Sequence, residues 1–354
     1  MSKIDVAVLG ATGPIGQRFV QMLEDHPYFR IEGLYASERS EGRRFGDFVK
    51  VRDHEFSDEV SDIKIEVLDP KVISKKVKLA FSGIPSDLAG PTETELADNG
   101  VAVFTNAGYH RMARNVPILI PEINPEHIYS VKDQPTYSNG GYIVTNANCS
   151  STGISMPLFA LEKKYGLNEV FVSTYQALSG AGYPGVPSLD AVGNVVPYIG
   201  GEEEKMEIEL AKIFGLYNSK EGFIPAKFKV MANCARVPVI DGHLESLVLN
   251  LRDSPSVEEL SETLSSFRGE AQRLNLPSAP EQPVIVRKEQ NRPQPVYDAL
   301  AGTPHRAKGM ASTVGRIRSG NGYYKMFVLS HNTLRGGAGG SILNAELFKA
   351  KGML

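Results

Sequence analysis

Cys149 lies in Asn148-Cys149-Ser150-Ser151-Thr152-Gly153, between the β-branched run Tyr142-Ile143-Val144-Thr145 and an apolar stretch from Ile154 to Leu161. That pattern predicts a strand, a turn and a helix, with the thiol at the helix start. Unpaired N–H groups and the positive end of the helix dipole lower a thiol pKa there and favour the nucleophilic thiolate. The same N–H groups, with the Asn148 amide, suit a developing oxyanion. The chemistry implied is covalent catalysis. Partners for the cysteine stand downstream in Ala235-Arg236-Val237-Pro238-Val239-Ile240-Asp241-Gly242-His243, whose Pro-Val-Ile-Asp-Gly suggests a strand edge turning before the histidine. An imidazole titrates near neutrality and makes an acid–base partner for a thiolate. Arg236 offers a planar fork that binds a carboxylate through two hydrogen bonds.

A second constellation opens the chain. Val6-Ala7-Val8-Leu9-Gly10-Ala11-Thr12-Gly13-Pro14-Ile15-Gly16 sets three glycines between a first strand and a first helix, spaced G-x-x-G-x-x-G. Glycine permits the tight turn, removes the Cβ that blocks a pyrophosphate, and lets helix and strand pack closely. The phosphates then meet a helix N-terminus. Gly10, Thr12, Gly13, Pro14, Ile15 and Gly16 are therefore candidate cofactor contacts. An NAD site commonly ends its second strand on an acid that binds the ribose hydroxyls. Here Leu34-Tyr35 runs into Ala36-Ser37-Glu38-Arg39-Ser40. Ser37, Arg39 and Ser40 suit a 2′-phosphate, with Glu38 as the counter-signal, so the cofactor expected is NADP. Ser82 ends another strand at its carboxyl end, where open α/β sheets bind ligands.

The elements that must hold these groups fall into two regimes. Strands over 5–9, 31–35, 64–67, 79–82, 101–105 and 142–145 alternate with helices that include 15–23 and 90–99. This predicts a Rossmann-like, doubly wound parallel sheet. After Cys149 the strands lengthen (170–177, 228–237, 244–251, 325–330), as in an α+β domain with a mostly antiparallel sheet. A helix over 256–267 starts at a serine signal, 276–283 and 291–295 are loops, and Gly336-Gly337-Ala338-Gly339-Gly340 is a turn feeding a last helix over 341–350. The domains expected are 1–148 with 332–354 for the cofactor and 149–331 for catalysis and dimerisation. Among 354 residues, 42% hydrophobic and 22% charged with a net charge of −3 is the balance of a soluble globular protein without the basic excess of a nucleic-acid binder. Two cysteines make neither a disulfide framework nor a metal cluster, so no metal is expected, and Cys234 in its strand reads as buried. No apolar run reaches transmembrane length, and Met1-Ser2-Lys3-Ile4-Asp5 enters a strand without room for a signal peptide, which points to the cytoplasm.

The glycine turn, Asn148-Cys149-Ser150, Gln176 within Ser173-Thr174-Tyr175-Gln176-Ala177-Leu178-Ser179-Gly180-Ala181-Gly182, and the pair Arg236 and His243 together resemble aspartate-β-semialdehyde dehydrogenase over nearly the whole chain. The segment from Ser179 to Asp190 resembles its archaeal and fungal branch. The resemblance implies that Cys149 attacks an acyl phosphate to give a thioester, that Gln176 orients the acyl group, and that His243 is the acid–base. It also implies that Arg236 binds the α-carboxylate, Glu202 the amino group, and Lys205 and Arg111 the phosphate, with Asn148 contributing to that anion site. Ser179, Gly180 and Asn332 would line the nicotinamide pocket. Taken by its own composition, Gly201-Glu202-Glu203-Glu204-Lys205 reads as a solvated helix face, and the amino-group contact is open by one register among three glutamates. The implied reaction takes L-4-aspartyl phosphate and NADPH to L-aspartate 4-semialdehyde, phosphate and NADP⁺, on the route to lysine (through diaminopimelate), methionine and threonine, in a homodimer or homotetramer. A malonyl-CoA reductase on the same scaffold is the nearest alternative. N-acetyl-γ-glutamyl-phosphate reductase and a non-catalytic NADP-sensing regulator stand further off.

Overall fold

A computed structural model describes residues 3–354; Met1 and Ser2, at the head of the segment read as entering the first strand, lie outside the described residues. Strands β1 (Ile4–Leu9), β2 (Phe29–Ala36), β3 (Ile65–Val67), β4 (Leu79–Ser82), β5 (Ala102–Thr105) and β6 (Tyr142–Thr145) form one sheet in the order β3-β2-β1-β4-β5-β6. Every pairing in it is parallel. The order reverses between β1 and β4, which opens a crevice at the carboxyl ends of those two strands. Alternation along each strand feeds two separate cores: Val6, Val8, Phe81 and Phe104 enter one, Ala7, Leu9, Ala80 and Val103 the other.

The longer α-helices are α1 (Pro14–Leu23), α2 (Ser86–Asp98), α3 (Cys149–Tyr165), α4 (Glu202–Ile213), α5 (Val257–Ser266) and α6 (Gly339–Ala350). α1 and α6 share the first core, and α2 covers the opposite face of the sheet. Phe348 of α6 packs 5.2 Å from Phe104 and 5.4 Å from Tyr142, ring centre to ring centre, so the chain's last helix closes the first sheet. Glu346, fully buried on the same helix, pairs with His26 at 2.9 Å and accepts the Ser278 N–H. Arg335 and Glu122 form a second buried pair through two hydrogen bonds of 2.9 and 2.8 Å.

The second half contains β7 (Leu167–Gln176), a hairpin of β8 (Leu216–Asn218) and β9 (Gly222–Ile224), then β10 (Lys229–Arg236), β11 (His243–Leu251), β12 (Val284–Arg287), β13 (Ser312–Gly320) and β14 (Tyr323–Ser330). Its main sheet runs β10-β7-β11-β14-β13-β12. The four central strands are antiparallel, as their alternation suggests, but both edge strands lie parallel to their neighbours, so the sheet is mixed. The cause at one edge is α4, which lies between β7 and β10 and carries the chain back in the same direction. Ile154, Leu158 and Leu161 of α3 share a core with Val172, Leu247 and Met326 of the sheet and with Leu210 of α4 and Leu264 of α5. Strands β12 and β13 and the β8–β9 hairpin have no counterpart in the sequence reading, because they are short or lack clean alternation. Among the described residues no helix is long and apolar enough to cross a membrane.

The stretch read as a glycine turn winds as a wide helical turn over Leu334–Ala338 and kinks at Gly337, whose φ of −139° and ψ of −121° are not helical, before it feeds α6. Its glycines serve close approach. A Cβ on Gly336 would sit 2.7 Å from the Cys149 Cβ, and one on Gly340 would sit 2.6 Å from the Asn146 Oδ1. The same logic governs the first turn, where a Cβ on Gly16 would lie 2.0 Å from the Gly10 carbonyl oxygen. Gly16→Ala should therefore lower stability by about 1–3 kcal/mol, the range for overpacking a tight site. Urea unfolding checks this; an unchanged midpoint would mean the turn relaxes without strain.

Candidate active site

The glycine turn leaves β1 at Gly10, whose φ of +76° suits glycine, and whose added Cβ would meet the Gly83 oxygen at 2.9 Å. α1 then opens at Pro14 behind Gly13, with no side chain capping its N-terminus. A positive helix end left uncapped beside glycine backbone is a seat for a pyrophosphate, so the residues fit a dinucleotide. Ile15 packs inward between Gly83 and Gly337, while Thr12 remains partly accessible. Beyond β2, Ser37 and Arg39 are exposed, whereas Ser40 is buried. The Ser82 hydroxyl is already engaged: it donates to the buried Glu93 at 2.6 Å, where Thr105 donates too. A cleft of about 640 Å³, lined in part by Pro14, Arg18, Lys50, Ser179, Tyr183 and Thr333, leads from this turn between the two halves.

Cys149 is the first residue of α3 and half-buried. The Asn148 Oδ1 accepts from the Ser150 N–H at 2.9 Å and the Ser151 N–H at 3.3 Å. Those two N–H groups are therefore already capped, and the oxyanion contacts expected of them reduce to the Cys149 N–H and the Asn148 side-chain NH₂. The thiol departs further from expectation. Burial pushes it up to about 12, helped by the Glu202 and Glu245 carboxyls, while the Arg111 and Arg236 charges pull the other way. Desolvation of the thiolate and the Glu202 charge thus favour the thiol in the free protein, against the pull of the helix end.

Gln176, Arg236 and His243 stand at the ends of adjacent strands, since β7 pairs Gln176 with Arg236 and β11 begins at His243. One peptide organises the last two. The Ala177 N–H donates to His243 Nδ1 at 3.0 Å, and the Ala177 carbonyl accepts from Arg236 Nη1 at 2.7 Å. With Nδ1 accepting, the neutral imidazole carries its proton on Nε2, a buried atom with no hydrogen-bond partner. Burial, reinforced by Arg236 and His331, holds its pKa well below the usual histidine range. Gly180 lies over both groups: a Cβ there would be 2.8 Å from Arg236 Nη1 and 3.1 Å from His243 Cε1. The Asn332 amide, read as a nicotinamide contact, is largely engaged already. Its oxygen accepts the Gly242 N–H at 2.9 Å and its nitrogen donates to the Ser179 hydroxyl at 2.8 Å, leaving one N–H.

α4 supplies the remaining charges. Glu202 is buried at its first turn and lies 3.6 Å from the half-exposed Lys205. Of the three glutamates, Glu203 accepts the Cys234 N–H and Glu204 is exposed, which leaves Glu202 facing Cys149. Arg111 is almost fully buried, and its three nitrogens donate to the Asn146 carbonyl, Glu209 and the Asn106 carbonyl. It keeps two further N–H bonds and acts on the thiol by charge. Cys234 is buried against Met206, as its strand setting implies. The sequence reading missed four contributors: the Ala177 peptide, Gly336, Glu209 and Glu245. Only Glu209 left a usable signal, its seven-residue spacing from Glu202 on one helix. Glu245 is fully buried two residues beyond His243 on the same face of β11, where burial keeps its carboxyl protonated well above the usual range. Among the described residues no group of three metal-type side chains converges.

Two family models match the chain: the NAD binding domain of semialdehyde dehydrogenase over residues 5–131 and the semialdehyde dehydrogenase dimerisation domain over residues 158–335. An aspartate-semialdehyde dehydrogenase of Methanothermobacter thermautotrophicus is 44% identical, covering 97% of this chain and 98% of the relative. A malonyl CoA reductase (NADP) of Metallosphaera sedula is 36% identical over 99% of this chain and 98% of its own. The crystal structure of aspartate semialdehyde dehydrogenase with NADP from Candida albicans superposes with a TM-score of 0.88 at 38% identity, covering all of both chains. With archaeal and fungal relatives this similar along nearly its full length, the chain belongs to the aspartate-semialdehyde dehydrogenase family of oxidoreductases.

Proposed function

We propose that the protein reduces L-4-aspartyl phosphate to L-aspartate 4-semialdehyde with NADPH, through a thioester on Cys149, in the cytoplasmic route to lysine, methionine and threonine. Residues 1–148 with 332–354 hold the cofactor in this reading, and 149–331 carry the chemistry and the face on which a homodimer or homotetramer forms. The observation that carries it is the placing of opposite charges about one cysteine: Arg236 on one side for an α-carboxylate, and Glu202 with Lys205 on α4 for an ammonium and a phosphate.

The Cys149 sulfur attacks the acyl carbon as the C–O bond to phosphate breaks, and the thiol proton leaves on the departing phosphate. Phosphate departs toward Lys205, Arg111 and the Asn148 NH₂. Gln176, at the end of β7, orients the acyl group. When bound at the glycine turn with its 2′-phosphate on Ser37 and Arg39, NADPH supplies the hydride. The Nε2–H of His243, the acid–base group of this reading, hydrogen-bonds the acyl oxygen as negative charge builds there, and the oxyanion collapses to the aldehyde as the carbon–sulfur bond breaks. Substrate also answers how a thiol held near 12 ionises. Its ammonium neutralises Glu202, the carboxylate that contributes most to the raised thiol, while Arg111 and Arg236 keep favouring the thiolate.

Malonyl-CoA reduction is the second reading, favoured by the Metallosphaera sedula relative. It needs neither an ammonium partner nor a phosphate cradle. Purified protein should reduce NADP⁺ with L-aspartate 4-semialdehyde only when phosphate is present, and Cys149→Ala should abolish the reaction. Oxidation of NADPH with malonyl-CoA alone would overturn the substrate and the roles of Glu202 and Lys205. The state of the thiol has its own test, the rate of alkylation against pH. In the free protein the rate should keep rising past the midpoint of an ordinary cysteine, about 8.5. Glu202→Gln should move the curve to lower pH, because removing a nearby negative charge favours the thiolate. A midpoint at or below that of free cysteine would count against the buried-thiol account.

A further inference from the structure

One buried carboxylate grips two of the groups assigned above. Glu209 is 1% exposed on α4, seven residues after Glu202 and on the same face. Its Oε1 accepts from Arg111 Nη1 at 2.9 Å, and its Oε2 accepts from the backbone N–H of Asn148 at 2.7 Å. Asn148 in turn caps α3 and immediately precedes Cys149. Lys212, one turn further, donates from Nζ to the carbonyls of Arg111, Ala113 and Val116 at 2.5, 3.0 and 2.8 Å. Burial pushes its ammonium down to about 7, yet all three donors have acceptors. Two turns of α4 therefore fasten the loop that carries Arg111 to the turn that carries Cys149.

A guanidinium is a rigid fork, and its direction is set by whatever holds its N–H groups. Two of the Arg111 partners are neutral carbonyls; Glu209 is its charged one. Because the same carboxylate holds the Asn148 N–H, it ties the Arg111 charge directly to the start of α3, beside the bond from Arg111 to the Asn146 carbonyl. We propose that Glu209 is a positioning residue for the phosphate end of the substrate, fixing Arg111 and the Asn148 backbone against Cys149. This rests on the reading of Arg111 as a phosphate ligand given above. Glu209 does not touch substrate; it acts through Arg111.

The test is steady-state kinetics of aldehyde oxidation by the full chain, varying phosphate, L-aspartate 4-semialdehyde and NADP⁺ in turn. Glu209→Gln keeps the volume but turns an amide against the guanidinium. It should raise KM for phosphate at least about tenfold, the worth of one charge-assisted hydrogen bond, while the other two KM values stay within about twofold. In an Arg111→Gln background the same change should add less than about twofold to the phosphate KM, since the residue it works through is gone. An unchanged phosphate KM, the same factor in both backgrounds, or a fall in kcat with all three KM values intact would overturn the proposal and leave a structural residue. Should Glu209→Gln fail to melt cooperatively, Glu209→Asp, which keeps the charge but shortens the reach, is read by the same criteria. Absence of phosphate-dependent activity in the unaltered protein would overturn the functional reading itself, a result distinct from normal activity with an unaffected Glu209→Gln.

Discussion

The turn between β6 and α3 is where the two sheets are joined, and the rest of the molecule depends on how firmly its backbone is held. The Asn146 N–H donates to the Thr105 carbonyl, the Asn146 carbonyl accepts from Arg111, the Asn148 N–H donates to Glu209, and the Asn148 carbonyl accepts from the Thr152 hydroxyl. Each partner comes from a different element. The turn is also pressed from behind by the helical turn at Gly336, where no side chain fits against Cys149. A buried irregular segment carries a heavy desolvation cost unless its polar groups are paired, and here they are paired by first sheet, second half and C-terminal return together. The nucleophile thus sits at the one place that feels every part of the fold.

The charges about that nucleophile are nearly balanced, and this suits a reaction whose ionic partners arrive with the substrate. Glu202 opposes Arg111 and Arg236 around the half-buried Cys149 sulfur. In a low-dielectric setting each added charge has a large effect on the thiol, so neutralising one carboxylate changes the state of the sulfur more than it would at a surface. The protonated Glu245 is part of this balance: a charge there would hold the thiol higher still. His243 is buried and neutral for the same reason, with its single proton aimed by the Ala177 N–H at the opposite ring nitrogen. An acid–base group fixed in one tautomer has its direction settled before substrate binds.

The parallel sheet was legible because its strands are short apolar runs between glycine and helix signals, and a Rossmann order satisfies that alternation with few crossings. Cys149, Arg236 and His243 were legible because local pattern marks a helix start, a strand end and the turn into the next strand. What sequence pattern could not show was the sign of the thiol's shift. A helix start favours the thiolate through local geometry, whereas the burial and carboxylates that oppose it come from α4 and β11, far along the chain. For the same reason Ser82 and Asn332 looked free. Their side-chain partners, Glu93, Gly242 and Ser179, lie elsewhere in the fold.

α4 shows how a functional helix hides among ordinary ones. Glu202, Lys205, Glu209 and Lys212 recur at intervals of three, four and three, the spacing of one helix face. A stripe of charge at that period usually faces water, and on composition alone the solvated reading is the sound one. Two things distinguish this stripe. Three of its four residues are buried, and Met206, Leu210 and Ile213 lie beside it in the core rather than across the helix from it. A solvated face sets charge opposite the apolar stripe; a face that serves a site sets charge next to it, because both must point inward. Burying such charges is tolerable only if each finds a partner, and each does: Glu202 with Lys205, Glu209 with Arg111 and the Asn148 N–H, Lys212 with three carbonyls. The partners are themselves the elements of the site. The energetic need to satisfy these buried charges and the chemical need to position Arg111 and Cys149 are therefore met by the same contacts, which is why one amphipathic helix can be both a structural strut and the wall of an active site.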